Sequence, residues 1–471
     1  MSATNKWLSA AVALFAFALG PSAQAGERGR FVVRASRETI SQVCEAHGLR
    51  LVRGLGRPDL FLVAAPDGAS AEEVRSSLAA DPQIAGFEPE TTARTPRVRA
   101  RGPLGQSTAA SLDGLDRTPV GYFGGSAWAG YVAQPALALI GADRAREDHQ
   151  TGDGVIVAVI DTGVDETHPL LKGSLVPGYD FTRDAPGTAS EWADLDQSTV
   201  VILQRSESST SGRPAPVLSQ STVVILNQST VVVLNRSEAA GPKLNGGVDA
   251  LDLGGVLPAS FGHGTMVAGL VRAVAPGARI MPLKAFQADG SATISAIVRA
   301  IYHAVEHGAK VINMSFDLDS PSEAIRRAVR YAAERGVICV SSAGNDGVEA
   351  LLYPAGLRRV FGVASTTLED TRAPFSNYGE RLVDVAAPGV DLITPYPGGH
   401  YAAASGTSFS AGLVSGAVAI LAGLKPGLDY GEARDAFDRS VFISPDMGEG
   451  RIDILAAVSG LDLGVGKRGR W

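Results

Sequence analysis

From Gly154 onward, short apolar runs rich in Val and Ile alternate with stretches of helical periodicity, and this alternation restricts the fold more than any other feature. Strands buried on both faces appear as continuous apolar runs, and parallel strands need helical crossovers between them. The pattern therefore predicts an α/β protein with a parallel β-sheet flanked by helices. The predicted strands are Val155–Ile160, Ile280–Lys284, Lys310–Asn313 and Val337–Val340, and the predicted helices are Thr293–His307 and Ser322–Arg335.

Size and charge exclude several classes of protein. The chain has 471 residues, 45% of them hydrophobic, which is enough for two or three globular units and excludes a disordered chain or a disulfide-stapled miniprotein. The net charge is −7 and no long Lys/Arg block occurs, which argues against nucleic acid as a partner. We interpret Cys44 and Cys339 as buried free thiols, with a disulfide in an oxidising compartment as the alternative.

The amino terminus has the pattern of an export signal. Lys6 precedes an apolar run from Leu8 to Leu19, and the small-residue triplet Ala23 to Ala25 follows. We expect a signal peptide over 1–25 and therefore a secreted or periplasmic protein. The run of 12 apolar residues is too short to cross a bilayer as a helix.

Residues 26–90 form a second, smaller unit with its own periodicity. We interpret its order as β-α-β-β-α-β, a ferredoxin-like α+β domain. Its strand-like runs are Phe31–Arg34, Asp59–Val63 and Ile84–Phe87, and its helical runs are Arg37–His47 and Ala71–Ala79.

Residues 91–130 are rich in Thr, Pro, Arg, Gly and Ser and show no sustained periodicity, as is typical of a linker. Exposed linkers are preferred sites of proteolysis. Arg94, Arg97, Arg99 and Arg101 make the first part of this segment a candidate cleavage region.

Ligand-binding and catalytic residues of parallel sheets lie beyond the carboxyl ends of the strands. Three polar residues with neighbouring glycines are expected at these ends. Asp161 ends the first predicted strand, His263 follows Gly262, and Ser408 follows Gly406 by two residues. Singly, each is a common turn, structural or helix-capping residue. Together, an acid, an imidazole and a hydroxyl are the parts of an activated serine nucleophile.

The sequence around these residues resembles the subtilisin-like (subtilase) serine peptidases, whose catalytic residues follow in the order Asp, His, Ser. The similarity runs from about Gly154 to Val458, and we assign 131–460 to a catalytic domain of this fold. Further matching motifs are Val311–Ser315, Ser342–Asn345, Tyr353–Pro354, Phe375–Gly379 and Ala387–Gly389.

The resemblance implies a role for each matching residue. Ser408 would be the nucleophile, His263 the general base and Asp161 the group that orients the imidazole. Asn345 would donate to the oxyanion, and His168 is interpreted as structural. The implied substrate-binding residues are Ser315, Phe316 and Gly344.

Four positions depart from the family pattern. Gly412 replaces a common Pro, and Met266 replaces a second His, but neither change removes a catalytic atom. Phe316 and Asp317 stand where the substrate-pairing strand usually carries Gly, so we expect a reshaped or narrowed cleft.

The resemblance also gives the amino-terminal domain a role. A ferredoxin-like propeptide in this family assists folding, fills the cleft with its carboxyl-terminal tail and is released by autoproteolysis, here expected within 91–130. Alternatively, it stays bound as a noncovalent inhibitor.

An insertion over about 185–255 separates Asp161 and His263, which are 102 residues apart. It contains three copies of an octad: Gln197–Gln204, Gln220–Asn227 (QSTVVILN) and Gln228–Asn235 (QSTVVVLN). Such β-branched segments resemble steric-zipper sequences and could drive self-association, whereas the alternative is a surface flap or poorly ordered loop.

The expected chemistry requires no cofactor. The acidic residues that flank the repeats could bind structural Ca²⁺, although their spacing is not specific enough to assign metal ligands. The flanking acids are Asp184, Glu191, Asp194, Asp196, Asp249 and Asp252.

We therefore expect a secreted serine endopeptidase, acting on proteins or peptides and made as a self-processing zymogen inhibited by its own propeptide. The alternative is a protease-fold binding or assembly protein with self-cleavage only or no activity. The basic tail 461–471 is expected to be disordered.

Overall fold

The computed structural model describes residues 29–96, 115–195 apart from 149 and 188, the strands 221–226 and 229–234, and 258–461. The predicted signal peptide, nearly all of the predicted tail and the first octad copy lie outside the described residues.

The amino-terminal domain is a four-stranded antiparallel sheet in the order β2-β3-β1-β4, covered by two helices. The order of its elements is the one expected from the sequence. The sequence pattern placed no strand at β2, because its two arginines and exposed leucine hide the apolar signal. The elements are β1 (Arg30–Arg34), α1 (Ile40–Ala46), β2 (Arg50–Gly54), β3 (Leu60–Ala64), α2 (Ala71–Ala80) and β4 (Gly86–Pro89).

The segment 91–130, expected to be a linker, contains three short strands: β5 (Thr92–Arg94), β6 (Pro119–Tyr122) and β7 (Gly125–Trp128). Tyr122 and Trp128 are buried in the main core. Strands of three or four residues are too short to show a period. Strand β5 pairs with a distant part of the chain, and β6 and β7 pair with each other. The packed part of the catalytic domain therefore begins before residue 131.

The catalytic domain is built on an eight-stranded sheet in the order β10-β9-β13-β8-β15-β16-β17-β18. Apart from the antiparallel edge strand β10, neighbouring strands run parallel, as predicted. These strands are β8 (Ile156–Asp161), β9 (Gly178–Asp180), β10 (Ala185–Gly187), β13 (Arg279–Lys284), β15 (Val311–Met314), β16 (Ile338–Ser342), β17 (Val360–Thr366) and β18 (Val385–Pro388).

Helices cover both faces of this sheet and enclose two hydrophobic cores. Helices α6 and α9 pack on one face, and α7 and α8 pack on the other. Every residue of α6 is buried. The helices are α3 (Ala129–Val132), α4 (Pro135–Leu139), α5 (Ala142–Glu147), α6 (His263–Val274), α7 (Ile294–Glu306), α8 (Glu323–Ala333), α9 (Thr407–Leu424), α10 (Tyr430–Phe437) and α11 (Ile454–Gly460).

A second sheet carries the repeats. The second and third octads form β11 (Ser221–Leu226) and β12 (Ser229–Leu234), which pair antiparallel with each other. Strand β12 also pairs antiparallel with β20 (His400–Ser405), which in turn pairs with β19 (Leu392–Tyr396). The repeats thus extend a sheet whose strand β20 ends three residues before Ser408.

Candidate active site

The acid and the imidazole meet where β8 ends and α6 begins. Asp161 is the last residue of β8 and His263 the first of α6, and both are buried. His263 Nδ1 donates to Asp161 Oδ1 at 2.8 Å. Gly264 permits this approach, because a Cβ there would lie 2.0 Å from the carbonyl oxygen of Gly163.

The surroundings of His263 favour its charged form. Burial lowers the pKa of the imidazole, but the charge and hydrogen bond of Asp161, together with the charge of Glu191, outweigh burial and raise the pKa above 6.5. An imidazole that gains protons readily is suited to accept one from a hydroxyl.

Ser408 lies in the first turn of α9, against α6. Its Oγ and His263 Nε2 are both buried, and neither has a hydrogen-bond partner among the described residues. The His263 ring lies 5.7 Å from the ring of Phe409, the next residue after Ser408. Gly412 allows the two helices to approach closely, because a Cβ there would lie 3.2 Å from Leu270 Cβ.

Asn345 is oriented by the residue before the serine. Its Oδ1 accepts from both the backbone N–H and the hydroxyl of Thr407, each at 2.9 Å. The amide nitrogen Nδ2 therefore faces the segment that ends at Pro96, and it donates to the carbonyl oxygen of Pro96 at 3.4 Å. A side-chain amide aimed at a peptide carbonyl beside a serine is the geometry of an oxyanion hole.

The residues before Pro96 lie in the cleft as an added strand. Strand β5 pairs antiparallel with β14 (Ser291–Thr293) on one side. On the other side, Arg94 exchanges two backbone hydrogen bonds with Asp317, at 3.3 and 3.0 Å. The N–H of Thr95 donates to the carbonyl of Gly290 at 3.0 Å. The chain therefore has the extended backbone pairing of a bound peptide.

The side chain of Ala93 is fully buried in the same hydrophobic core as Phe286 and Phe316. The Phe286 and Phe316 rings lie 5.0 Å apart. Phe316 thus points into the core, so its side chain does not narrow the cleft as the sequence led us to expect.

Asp317, whose backbone pairs with Arg94, carries a carboxylate in the same region. Burial, with the charges of Asp319 and Asp346 added, raises its pKa to about 7. Gly344 lies opposite, and a Cβ there would lie 3.4 Å from Asp317 Oδ2 and 2.7 Å from Leu352 Cδ1. The segments that follow β15 and β16 thus approach each other where Gly344 lacks a side chain.

Two other predicted residues, Ser315 and His168, hydrogen-bond to backbone carbonyls near the site. The hydroxyl of Ser315 lies within hydrogen-bond distance of Asn313 Oδ1 (2.9 Å) and of the Ser408 carbonyl (3.2 Å), so its side chain supports the backbone of Ser408. His168, interpreted as structural, is buried and binds the carbonyl of His400 through Nε2 at 2.9 Å. Burial lowers its pKa.

The acidic residues before the repeats have protein partners. Asp184 pairs with Arg53 and Arg299, and Asp194 pairs with Arg183 and Lys284. Within the described ranges no group of three or more His, Cys, Asp or Glu is arranged to hold a metal ion. Structural Ca²⁺ therefore stays a prediction.

Sequence reasoning missed two contributors to the site. Glu191, counted only among acidic residues flanking the repeats, contacts the start of the His263 helix, and Pro96 contacts Asn345. Neither belongs to a recognisable motif, since each reaches the site from a distant part of the chain.

Hydroxyl, imidazole and carboxylate side chains at the carboxyl edge of a parallel sheet, with an amide beside them, are the arrangement of an α/β serine hydrolase. A model of the subtilase family (peptidase S8) matches residues 152–446, and the chain belongs to this family.

Cys44 and Cys339 are free and buried, as expected from the sequence.

Individual relatives agree with this assignment. A thermophilic serine proteinase of Bacillus sp. (strain AK1) is 32% identical over 287 residues, covering 61% of this chain and 56% of that protein. Thermitase of Thermoactinomyces vulgaris is 37% identical over 275 residues, covering 58% of this chain and 77% of thermitase. The chain thus spans little more than half of the first relative.

A solved structure shares the fold. Fervidolysin from Fervidobacterium pennivorans, a keratinolytic enzyme related to subtilisin, superposes with a TM-score of 0.64 at 24% identity. The match covers 93% of this chain and 62% of fervidolysin. It supports the subtilisin-like α/β architecture.

Proposed function

We propose that the protein is a secreted serine endopeptidase that hydrolyses peptide bonds in proteins or peptides through an acyl-enzyme, and that it is made as a self-processing zymogen. One observation carries the proposal. The chain's own segment 92–96 lies in the cleft as a paired strand and brings the Pro96 carbonyl to the Asn345 amide, beside Ser408.

The chemistry follows from these positions. Ser408 Oγ attacks the carbonyl carbon of residue 96 while His263 Nε2 accepts the hydroxyl proton. Asn345 Nδ2 and the backbone N–H of Ser408 stabilise the oxyanion. His263 then gives the proton to the nitrogen of Arg97 as the peptide bond breaks, and water hydrolyses the ester. Asp161 keeps Nδ1 protonated and stabilises the imidazolium.

The pairing of the cleft segment favours one bond as the site of self-processing. Arg94 pairs with Asp317, and the Pro96 carbonyl accepts from Asn345, which supports the bond after Pro96 as the scissile one. We therefore propose Pro96–Arg97 as the self-processing bond, inside the arginine-rich region expected from the sequence.

The amino-terminal domain is proposed to remain as an inhibitor after this cut. Two of its carboxylates cap helices of the catalytic domain: Glu88 accepts from the Ser322 hydroxyl at 2.7 Å and from the N–H of Glu323 at 2.9 Å. Glu90 accepts from the hydroxyl and the N–H of Ser295 in the first turn of α7. Carboxylates at helix amino termini are favoured by the helix dipole.

The test uses the full chain beside Ser408→Ala and a labelled fluorophosphonate, which reacts with an activated serine. We expect the wild type to label at Ser408 and to shorten, while the variant does neither. Absence of both from a folded wild type would refute the proposed enzyme and favour a protease-fold binding protein.

A second role, self-association through the repeats, is favoured by one observation. The two described octads add a hairpin to the sheet of β20, and β11 is the outermost strand of that sheet as described. A sheet edge can pair with the same strand of a second copy.

Deleting residues 197–238 and comparing oligomeric size tests this second role. Loss of a wild-type oligomer would support self-association, and an equal monomeric mass for both proteins would refute it.

A further inference from the structure

Glu191 is a fully buried carboxylate at the catalytic centre whose role the family motifs do not assign. It is the first residue of the 3₁₀ turn Glu191–Asp194, at the start of the insertion, and its exposed fraction is 0%. A carboxylate is rarely buried so completely unless hydrogen-bonding partners compensate the loss of solvation. The contacts of Glu191 therefore indicate what it does.

Those contacts join both halves of the acid–imidazole pair. Thr162 follows Asp161 in the sequence, and its hydroxyl donates to Glu191 Oε1 at 2.7 Å. Gly264 follows His263, and its N–H donates to the same oxygen at 3.0 Å. That oxygen also lies 3.3 Å from the N–H of Thr265, whose hydroxyl donates to Oε2 at 2.8 Å. One carboxylate thus ties the loop after β8 to the first turn of α6.

The segment carrying Glu191 fits closely against that loop. The N–H of Val164 donates to the Ala189 carbonyl at 2.8 Å. Gly163 has φ +110°, and a Cβ there would lie 2.4 Å from the Ala189 oxygen and 3.0 Å from the Glu191 nitrogen. Any side chain at Gly163 would push the turn away.

The turn is fastened at its far end by a buried lysine. Lys284 Nζ donates to Asp194 Oδ2 at 2.6 Å and to the Thr162 carbonyl at 2.7 Å. Lys284 is paired with Asp161 in the register of β13 and β8. Both ends of the turn are therefore linked to Thr162, the residue after Asp161: Glu191 accepts from its hydroxyl, and Asp194 is joined to its carbonyl through Lys284.

The charged and titratable groups that face Glu191 are Asp161, His263, Lys284 and Tyr396. Burial and the charge of Asp161 raise the Glu191 pKa to about 7, against the hydrogen bonds of the two threonines and the charge of Lys284. The four groups that hydrogen-bond to Glu191, the hydroxyls of Thr162 and Thr265 and the N–H groups of Gly264 and Thr265, all donate to it, as an ionised carboxylate requires.

We propose that Glu191 is a positioning residue of the proposed peptidase: its carboxylate fixes the first turn of the His263 helix to the Asp161 loop, and its charge stabilises the imidazolium. The inference rests on the proposed function. It gives the first turn of the insertion a part in catalysis.

The first test does not require activity. In the Ser408→Ala chain, labelled with ¹³C at histidine Cε1, the His263 signal is assigned by its loss in His263→Ala and titrated by NMR. We expect Glu191→Gln to lower the His263 pKa, because a negative charge beside the imidazolium is removed. Glu191→Asp, which keeps the charge, should retain the wild-type value. Glu166→Gln, the same change at a half-buried carboxyl that accepts from Ala189, should also leave it unchanged.

The second test measures catalysis in the self-processed wild-type background. Misplacing a catalytic group by about 1 Å can cost about 10²-fold. We therefore expect Glu191→Gln and Glu191→Asp to lower kcat by about 10- to 100-fold with KM nearly unchanged. Only Glu191→Gln should move the acid limb of the fluorophosphonate inactivation rate to lower pH.

The outcomes separate the two proposals. A His263 pKa that is the same in wild type and Glu191→Gln refutes the electrostatic role, and unchanged kcat in Glu191→Asp refutes the positioning role. If Glu191→Gln does not fold, the kcat of Glu191→Asp still decides the positioning role. A wild type that never labels refutes the peptidase, while the NMR titration still tests Glu191.

Discussion

Two segments add antiparallel strands to the catalytic domain, and they are held differently. Strand β5 of the cleft segment is short, but side-chain contacts hold the chain on both sides of it. Before β5, Glu88 and Glu90 accept from Ser322 and Ser295, and after it the Pro96 carbonyl accepts from the Asn345 amide. Strand β12 of the repeats is longer and pairs through its backbone with β20. The comparison teaches that β5 is held where the proposed peptidase would bind a substrate, whereas β12 extends the sheet whose strand β20 ends three residues before Ser408.

The largest expected effect concerns the contact between Pro96 and Asn345. Asn345→Ala removes an oxyanion donor and should lower kcat by about 10²–10³-fold with little change in KM. Asn345→Asp keeps the oxygen that Thr407 contacts but loses the donor, so it should lose at least as much. Steady-state kinetics on a peptide spanning residues 92–101 measures both. If kcat is retained in Asn345→Asp, the assignment of Nδ2 to the oxyanion is wrong.

The next effect concerns how the cleft segment is held. Glu88→Ala leaves the donors at the start of α8 without their carboxylate, at a cost of about 1–3 kcal/mol. The cut amino-terminal domain should then dissociate about 10- to 100-fold more readily, seen as earlier onset of activity after processing. Glu72→Ala, an exposed acid on α2 outside this contact, is the matched control. Equal onset in both variants would contradict the anchoring role.

A third effect concerns residue 94 of the cleft segment, which pairs with Asp317, and depends on pH. The Asp317 carboxyl, with a pKa raised to about 7, is ionised above that pH and protonated below it. We expect peptides with Arg at position 94 to gain on peptides with a neutral residue there by about tenfold above pH 7, and the gain to disappear as the pH falls below 7.

Asp317→Asn should remove this pH dependence and leave cleavage of neutral peptides unchanged. The comparison of kcat/KM for the two peptides between pH 5.5 and pH 8.5 measures it. A preference for Arg that persists in Asp317→Asn would place its cause elsewhere.

The smallest effect concerns the repeats. Because β12 pairs with β20, whereas the cleft segment pairs with β14 and Asp317, deleting residues 197–238 should change kcat only a few-fold, while Glu191 and Asp194 are retained. Thermal unfolding should be affected more than activity. A loss of kcat as large as that of Asn345→Ala would show that β12 holds the nucleophile in place.

The sequence predicted the parts of this account that local pattern encodes. The alternation of apolar strands and helices predicted the parallel sheet. Asp161, His263 and Ser408 were found because each lies at the end or in the first turn of a regular element, beside glycines. Asn345 was found through a family motif, and its orientation by Thr407 became visible only in the structure.

The remaining parts depend on tertiary contacts that leave no local pattern. Strand β5 has three residues and forms only because β14 and Asp317 pair with it. Glu191 lies 73 residues before Gly264, across the insertion, so no spacing rule connects them. The described part of the expected linker 91–130 contains β5, β6 and β7, three strands too short to leave a period in the sequence.

The most direct test of the central claim is the amino-terminal sequence of the processed protein. Mass spectrometry of the full chain after expression should show a catalytic domain beginning at Arg97 and an amino-terminal domain ending at Pro96. The Ser408→Ala chain should remain uncut at that bond. A wild type that stays intact there, or a Ser408→Ala chain cut at the same bond, would contradict the claim that segment 92–96 is bound as the enzyme's first substrate.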